Sequence, residues 1–374
     1  MNKTTRTIFS ICGGLILLGG ALVGVSCALG AGETESHEVT YTVDESFTNI
    51  LVNVTDAEVV VRPSNDGTCY AVCDETDKIT YSVQAANGAL HVRVQDERSW
   101  LDYIGIHFDV RTVALYLPES AYELLDVTSM SGSIVCESSF TFDRVKLESK
   151  SGLIRFGSVA TDNLTAKSAS GSITLENFGT AAVTAESASG RILCKNAQPA
   201  TLSATSGSGS VTLENVVGDS AVKAETTSGA ILFQDAPAES LSFSSGSGSV
   251  TLENVVVDSA VKAETTSGAI LFQDGRAESL SFSSGSGSVT LENVVTSGDV
   301  KGATTSGNIR LDACDGANLT LKSKSGSVRG TLLSGKIFQA TSSSGSIHVP
   351  DPEPSAGICK ITTVSGSIDI KIEG

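Results

Sequence analysis

The sequence predicts an all-β chain, a single-stranded parallel β-helix (solenoid) of about 13 coils of 19–20 residues, and three observations lead there. A Ser-Gly dipeptide recurs every 19 to 21 residues, with its glycine at Gly132, Gly152, Gly171, Gly190, Gly209, Gly229, Gly248, Gly268, Gly287, Gly307, Gly326, Gly345 and Gly366. Around that glycine apolar residues fall at fixed offsets with a period of two, which marks strands with one buried face. The coil is too short for a strand-helix-strand unit and contains no stretch of helical period. An irregular β cap and an N-terminal transmembrane helix are expected ahead of the coils. The chain therefore divides into an anchor or signal segment (1–32), a cap region (33–120) and the β-helix repeats (121–374).

Two residues after each glycine stands Ile or Val, from Ile134 and Ile154 to Ile347 and Ile368. Four after it the chain is apolar again, as at Phe156, Leu175, Phe233 and Leu291, with Gly330 the one gap. The position between is turned outward and holds residues such as Thr174, Arg310, His348 and Asp369. A second strand precedes the glycine, with apolar residues seven and five positions back, as at Val145 and Leu147 or Leu241 and Phe243. Three positions back, on the same inward parity, every coil has Ser or Thr. A buried hydroxyl needs a partner, so an internal Ser/Thr ladder bonded from coil to coil is expected. Ser-Gly then makes the bend, where glycine suits positive φ and close backbone approach. At ~4.8 Å per coil the rod is roughly 60 Å long.

Residues 206–244 and 245–283 differ at three places only: Gly218 against Val257, Ala236 against Gly275, and Pro237 against Arg276. A third, partial copy begins at Ser284. The 39-residue period is two coils, so coils have been added in pairs. A single catalytic centre in this stretch would be doubled or pushed apart, whereas a spacer or a multivalent surface tolerates such growth.

Residues 8–29 carry no charge and as a helix would be about 33 Å long, enough to span a bilayer core. Lys3 and Arg6 precede them, which keeps the N-terminus in the cytoplasm and sends the β-helix outside as part of a single-pass membrane protein. Three fates compete: a retained anchor, cleavage after Gly30, and lipidation at Cys27. Gly20, Gly24 and Ala28 form a small-residue stripe within the segment. The chain has 25 basic and 42 acidic residues and a net charge of −17, so its surface repels nucleic acid and anionic lipid.

Eight cysteines do not read as a disulfide framework. Cys12 and Cys27 lie in or beside the anchor, and Cys136 and Cys194 sit three coils apart, about 14 Å, beyond bridging range. Cys69 and Cys73 lie ~13 Å apart along a straight strand, so a bridge there requires the segment to turn. Cys314 is expected in a turn and Cys359 in a core position. His37, His91, His107 and His348 have no metal-ligand spacing. No catalytic, cofactor-binding or metal-ligating residue is assigned, and no cofactor is expected. Glu214, Glu253 and Glu292 recur on every second coil, roughly 10 Å apart, as solvated edge residues.

Between 37 and 118 the strand candidates are Ile50–Val54, Glu58–Arg62, Cys69–Cys73, Ile79–Val83, Leu90–Val94 and Phe108–Leu117. Asn87-Gly88 signals a hairpin and Pro118 ends the last strand. Trp100, Tyr103, Ile104 and Phe108 form an aromatic cluster expected to plug the first coil. At the other end the final coil, Ile368–Gly374, is expected at an open edge blunted only by Lys371 and Glu373.

The anchor ending in Ala28-Leu29-Gly30, the β segment closing on Leu115-Tyr116-Leu117-Pro118 and the tandem Ser-Gly-Ser-Ile coils resemble the bacterial putative-adhesin family. These are β-strand-repeat envelope proteins containing a domain of unknown function. The resemblance implies a membrane-anchored, extracytoplasmic β-helix, in some members linked to envelope stress, and supplies no catalytic residues. The leading reading is a non-enzymatic exported surface protein that presents a rigid rod for adhesion or cell-envelope contact. Its partner would be a protein or glycan of the envelope or cell surface, with residues 8–29 contacting the membrane. The alternative is a membrane-anchored envelope-stress sensor or regulatory partner. A polysaccharide-active enzyme would need clustered charges on adjacent coils, and only Arg310, Arg329 and His348 come near, with Asp369 one coil further in sequence.

Overall fold

A computed structural model describes residues 36–99, 110–137, 140–158, 160–354 and 356–373. The expected anchor at 8–29, with Cys12 and Cys27, lies outside the described residues, as do His107 and the cluster Trp100, Tyr103, Ile104 and Phe108. The described residues form strands and turns with no helix. They make a parallel β-solenoid of about 12 turns, close to the number counted from the glycines.

One coil illustrates the rest. Leu241, Phe243 and Ser245 point inward, the Ser247-Gly248 bend follows, and Val250, Leu252, Val255 and Val257 point inward again. Between Leu252 and Val255 the parity changes at Asn254, which has φ of 53°. The same left-handed corner recurs at Asn177, Asn196, Asn215, Asp235, Asp274 and Asn293, with φ between 52° and 58°. Asn and Asp are the side-chain-bearing residues that tolerate this conformation best. They stand six residues after each bend glycine, a regularity visible in the sequence.

Of the two properties expected of the bend glycines, the structure uses close backbone approach and not positive φ. None has positive φ; among the described glycines only Gly67, Gly88 and Gly330 do. What fixes them is proximity: a Cβ on Gly248 would lie 1.9 Å from the carbonyl oxygen of Gly229, one on Gly229 2.1 Å from Gly209, and so on along the column. The hydroxyl column is also corrected. Ser245 Oγ accepts from Gly248 N at 2.9 Å and donates to Gly229 O at 3.0 Å. Ser206, Thr226, Thr265 and Ser284 repeat both bonds. The hydroxyls thus bond the backbone of their own bend and of the preceding coil rather than one another, apart from Thr304 Oγ1 to Ser323 Oγ at 3.0 Å. A backbone carbonyl is the nearer acceptor because the glycine leaves it uncovered.

Both ends of the rod depart from chain order. At the start, Asn49–Val54 pairs in parallel with Ala121–Ser129 on one side and Ala89–Asp96 on the other. Glu58–Pro63 is likewise held between Ile134–Glu137 and Thr112–Leu117. The region before the Ser-Gly repeats therefore contributes coils to the same stack and core. Beyond them Ile79–Ala86, Cys69–Glu75 and His37–Val43 pair antiparallel. The Asn87-Gly88 hairpin is present, with both residues at positive φ.

At the far end the last coil in sequence is not the last in space. Ile358–Thr363 lies between Asn318–Ser323 and Ile337–Ser342. Ile368–Ile372 lies between Val328–Leu332 and Ile347–His348. Lys371 and Glu373 therefore do not guard an open edge; the outermost coil is the one bent at Gly345. Its second strand is only Ile347–His348 and runs into Pro350, Pro352 and Pro354, which lack the N–H that strand addition needs.

Two outcomes test this architecture. Gly248→Ala is expected to destabilise the chain by roughly 1–3 kcal/mol, since the coils must part to admit a methyl group. Gly179→Ala, with open space at its Cβ position, is expected to change stability by less than about 0.5 kcal/mol; thermal melts compare the two. Deleting residues 367–374 removes an interior strand, so hydrogen-exchange protection is expected to vanish across Ile337–Ser342 as well. Full protection there after truncation would refute the interleaved order.

Candidate functional site

The outward side chains of the strand after each bend form columns along the rod. One runs Thr212, Leu232, Thr251, Leu271, Thr290 and a second Glu214, Gln234, Glu253, Gln273, Glu292, each residue in register with the next. The chemistry therefore alternates coil by coil and repeats every second coil, roughly 10 Å apart. Glu214 is paired with Lys195 Nζ at 2.9 Å.

Beside these columns the left-handed corners form a ladder that the sequence reading did not anticipate. Asn215 Nδ2 donates to Asn196 Oδ1 at 3.0 Å, Asn254 to Asp235 Oδ1 at 3.0 Å and Asn293 to Asp274 Oδ1 at 2.8 Å. The face before each bend is occupied by its own ion pairs, such as Lys223 with Glu225 at 2.8 Å and Lys262 with Glu264 at 3.1 Å. Among the described residues no three His, Cys, Asp or Glu side chains gather as for a metal ion.

The repeat breaks near the C-terminal end. Gly330, at φ 150°, takes the inward slot filled by leucine one coil earlier at Leu311, and a Cβ there would meet Leu311 O at 1.9 Å. Around it opens a cleft of about 580 Å³ lined by Asn308, Arg310, Asp312, Ser327, Arg329 and Thr331, among others. Arg310 stands in register with Arg329, Arg329 with Asp369, and Asp369 with His348. The interleaved last coil thus sets Asp369 between Arg329 and His348, where chain order had placed it beyond both. It also puts Lys371 beside Thr331. Arg310 Nη2 is 3.2 Å from Asp312 Oδ2.

The Toastrack DUF4097 family model matches residues 47–255, 220–303 and 258–374. No curated protein matches the chain. Among solved structures, one described as a putative adhesin from Bacteroides fragilis is 14% identical over 64% of this chain and 97% of its own, with a TM-score of 0.41. A structure described as a putative lipid binding protein from Parabacteroides distasonis is 15% identical, covering 90% of this chain and 98% of its own at a TM-score of 0.25. A third, described as a putative cell adhesion protein from Clostridium sporogenes, is 9% identical, covering 91% and 100% at a TM-score of 0.19.

The cysteines were the remaining candidates for reactivity. Cys69, Cys73, Cys136, Cys194, Cys314 and Cys359 are all buried thiols. Cys69 and Cys73 share the inward face of one straight strand, so no bridged loop forms, and Cys314 fills a core slot at the end of Ile309–Cys314 rather than a turn. Burial pushes Cys69 up to about 11 and Cys194 and Cys359 to about 12, from an ordinary 9.0. An unfolded thiol ionises near 9 while the buried one holds its proton to about 12. The stability from Cys194 is therefore complete below pH 9 and falls between pH 9 and about 12. Cys194 is expected to resist maleimide at neutral pH and to react once the chain is denatured; rapid labelling of the native protein, read by peptide mass, would contradict this.

Proposed function

We propose that this chain, which belongs to the Toastrack family, is a non-enzymatic exported surface protein whose rigid β-helical rod makes adhesive or cell-envelope contacts. Residues 8–29 would hold it to the membrane with the N-terminus in the cytoplasm and the rod outside. The observation that carries this reading is the pairwise repetition of coils. The copies place Thr212 with Glu214, Thr251 with Glu253 and Thr290 with Glu292 at the same outer positions while every strand stays in register. Adding coils in this way lengthens the rod and multiplies a surface patch. Several weak contacts on one rigid body then gain avidity without any single tight site.

The test is a pull-down with the full chain in detergent against intact cells, cell-wall glycans and solubilised membranes. Retention on cells or glycans is the expected outcome, weakened by joint charge reversal at Glu214, Glu253 and Glu292. Retention of a single membrane protein alone would replace this reading with that of an envelope sensor.

A further inference from the structure

We propose that the cleft at Gly330 is a discrete binding site for an acidic sugar, with the guanidinium groups of Arg310 and Arg329 holding its carboxylate. The site stands apart from the repeated surface, and only the expectation that its ligand is an envelope glycan rests on the function proposed above.

Charge is the first argument. In a chain of net charge −17, Arg310 and Arg329 line this cleft beside Asp312, while Asp369 and Lys371 stand in register with Arg329 and Thr331 on the adjoining strand. The corresponding outward position on the five coils from Gly209 to Gly287 holds Thr or Leu. Arg310 and Arg329 lie one strand spacing apart on adjacent coils, both exposed, with Asp312 engaging Arg310. Two forked guanidinium groups side by side match the two oxygens of a carboxylate.

Size and lining are the second. A bare anion would fill a small part of a cleft of about 580 Å³, so the ligand carries more than its charge. The walls offer hydroxyl partners: the Asn308 amide, Ser327, Thr331 and the Asp312 carboxylate. Asn308 Oδ1 is held by Ser327 N at 2.8 Å and Thr331 Oγ1 by Ala313 N at 2.8 Å, which orients both side chains before any ligand arrives. Oriented polar groups around a cation pair suit a hydroxylated ring bearing a carboxylate.

The experiment is calorimetric titration of the full chain in detergent with a uronic-acid oligosaccharide, oligogalacturonate, and with neutral oligogalactose of the same length. The acidic oligosaccharide is expected to bind at least about tenfold more tightly than the neutral one, a difference of about 1.4 kcal/mol. Arg310→Gln and Arg329→Gln are each expected to weaken binding about tenfold, while Arg191→Gln, on a distant coil, leaves it unchanged. Thermal melts of all three variants establish that they fold, and either arginine variant alone suffices for the comparison. Equal affinity for the two oligosaccharides, absence of binding by the acidic one, or undiminished binding by both arginine variants would overturn the proposal. A failed pull-down from cells beside a positive titration would count against the adhesive role and leave the site intact.

Discussion

The rod is organised by the contact between each bend glycine and a backbone carbonyl of the neighbouring coil, a glycine's at every bend but Gly132, which meets Ala57. At Gly229, Gly248, Gly268 and Gly287 the space that a Cβ would need is already taken by that oxygen, at 1.8–2.1 Å from the Cβ position. A neighbouring Ser or Thr hydroxyl then ties the two coils together by accepting from the upper glycine's N–H and donating to the lower glycine's carbonyl. The bend is therefore the tightest point of every coil and sets the phase of the strands on either side. Length variation of 19 to 21 residues per coil is absorbed away from it. One polar column inside an apolar core is tolerated because hydroxyls such as Ser206, Thr226, Ser245, Thr265 and Ser284 each have both a donor and an acceptor within reach.

Packing explains why coils multiply in twos. In the column before the bend Ala224, Phe243, Ala263, Phe282 and Gly302 follow one another in register. In the column after it the order is Leu213, Phe233, Leu252, Phe272, Leu291. From Gly229 to Gly287 each coil carries one phenylalanine, alternately on one side of the core and the other. A single extra coil would stack ring on ring in one column and leave a void in the other, an error of overpacking and cavity together. The corner column has the same logic. Asn254 rests on Asp235 and Asn293 on Asp274. Inserting a single Asp-bearing coil would set two aspartates against each other, whereas a pair keeps an amide donor over each carboxylate.

Much of this was legible from residues alone because a solenoid writes its core as columns. The Ile/Val after each glycine, the hydroxyl before it and the two-coil period all follow from spacing. The corner was written just as plainly, as Asn or Asp six residues after the glycine, but an exposed polar residue reads as solvated surface unless its backbone conformation is asked about. The order of coils at the ends was not written at all. Every coil presents the same inward pattern, so periodicity says that Gly366 has neighbours and not which ones. Only the structure places it between Gly326 and Gly345. For the same reason Asp369 could be noted but not placed: Arg310 and Arg329 are neighbours in chain order, whereas the adjacency of Asp369 to Arg329 depends on that rearrangement.

The interleaved ends also answer the weakness of a linear stack, in which each coil is supported only by its neighbours and the outermost frays first. The strand Ile368–Ile372 is hydrogen-bonded on both edges, between Val328–Leu332 and Ile347–His348, so the C-terminal segment cannot peel away without lifting the coil outside it. Asn49–Val54, among the first strands described, is held in the same way between Ala89–Asp96 and Ala121–Ser129. An end built like this carries strands that are not tied to the repeat, and their outward residues are free of its alternation. The charged column Arg310, Arg329, Asp369, His348 arises there, next to the inward slot left without a side chain at Gly330. In this molecule the passage of the last coil back into the rod closes the stack and carries the Arg310–Arg329 column on to Asp369 and His348, beside the cleft lined by Gly330.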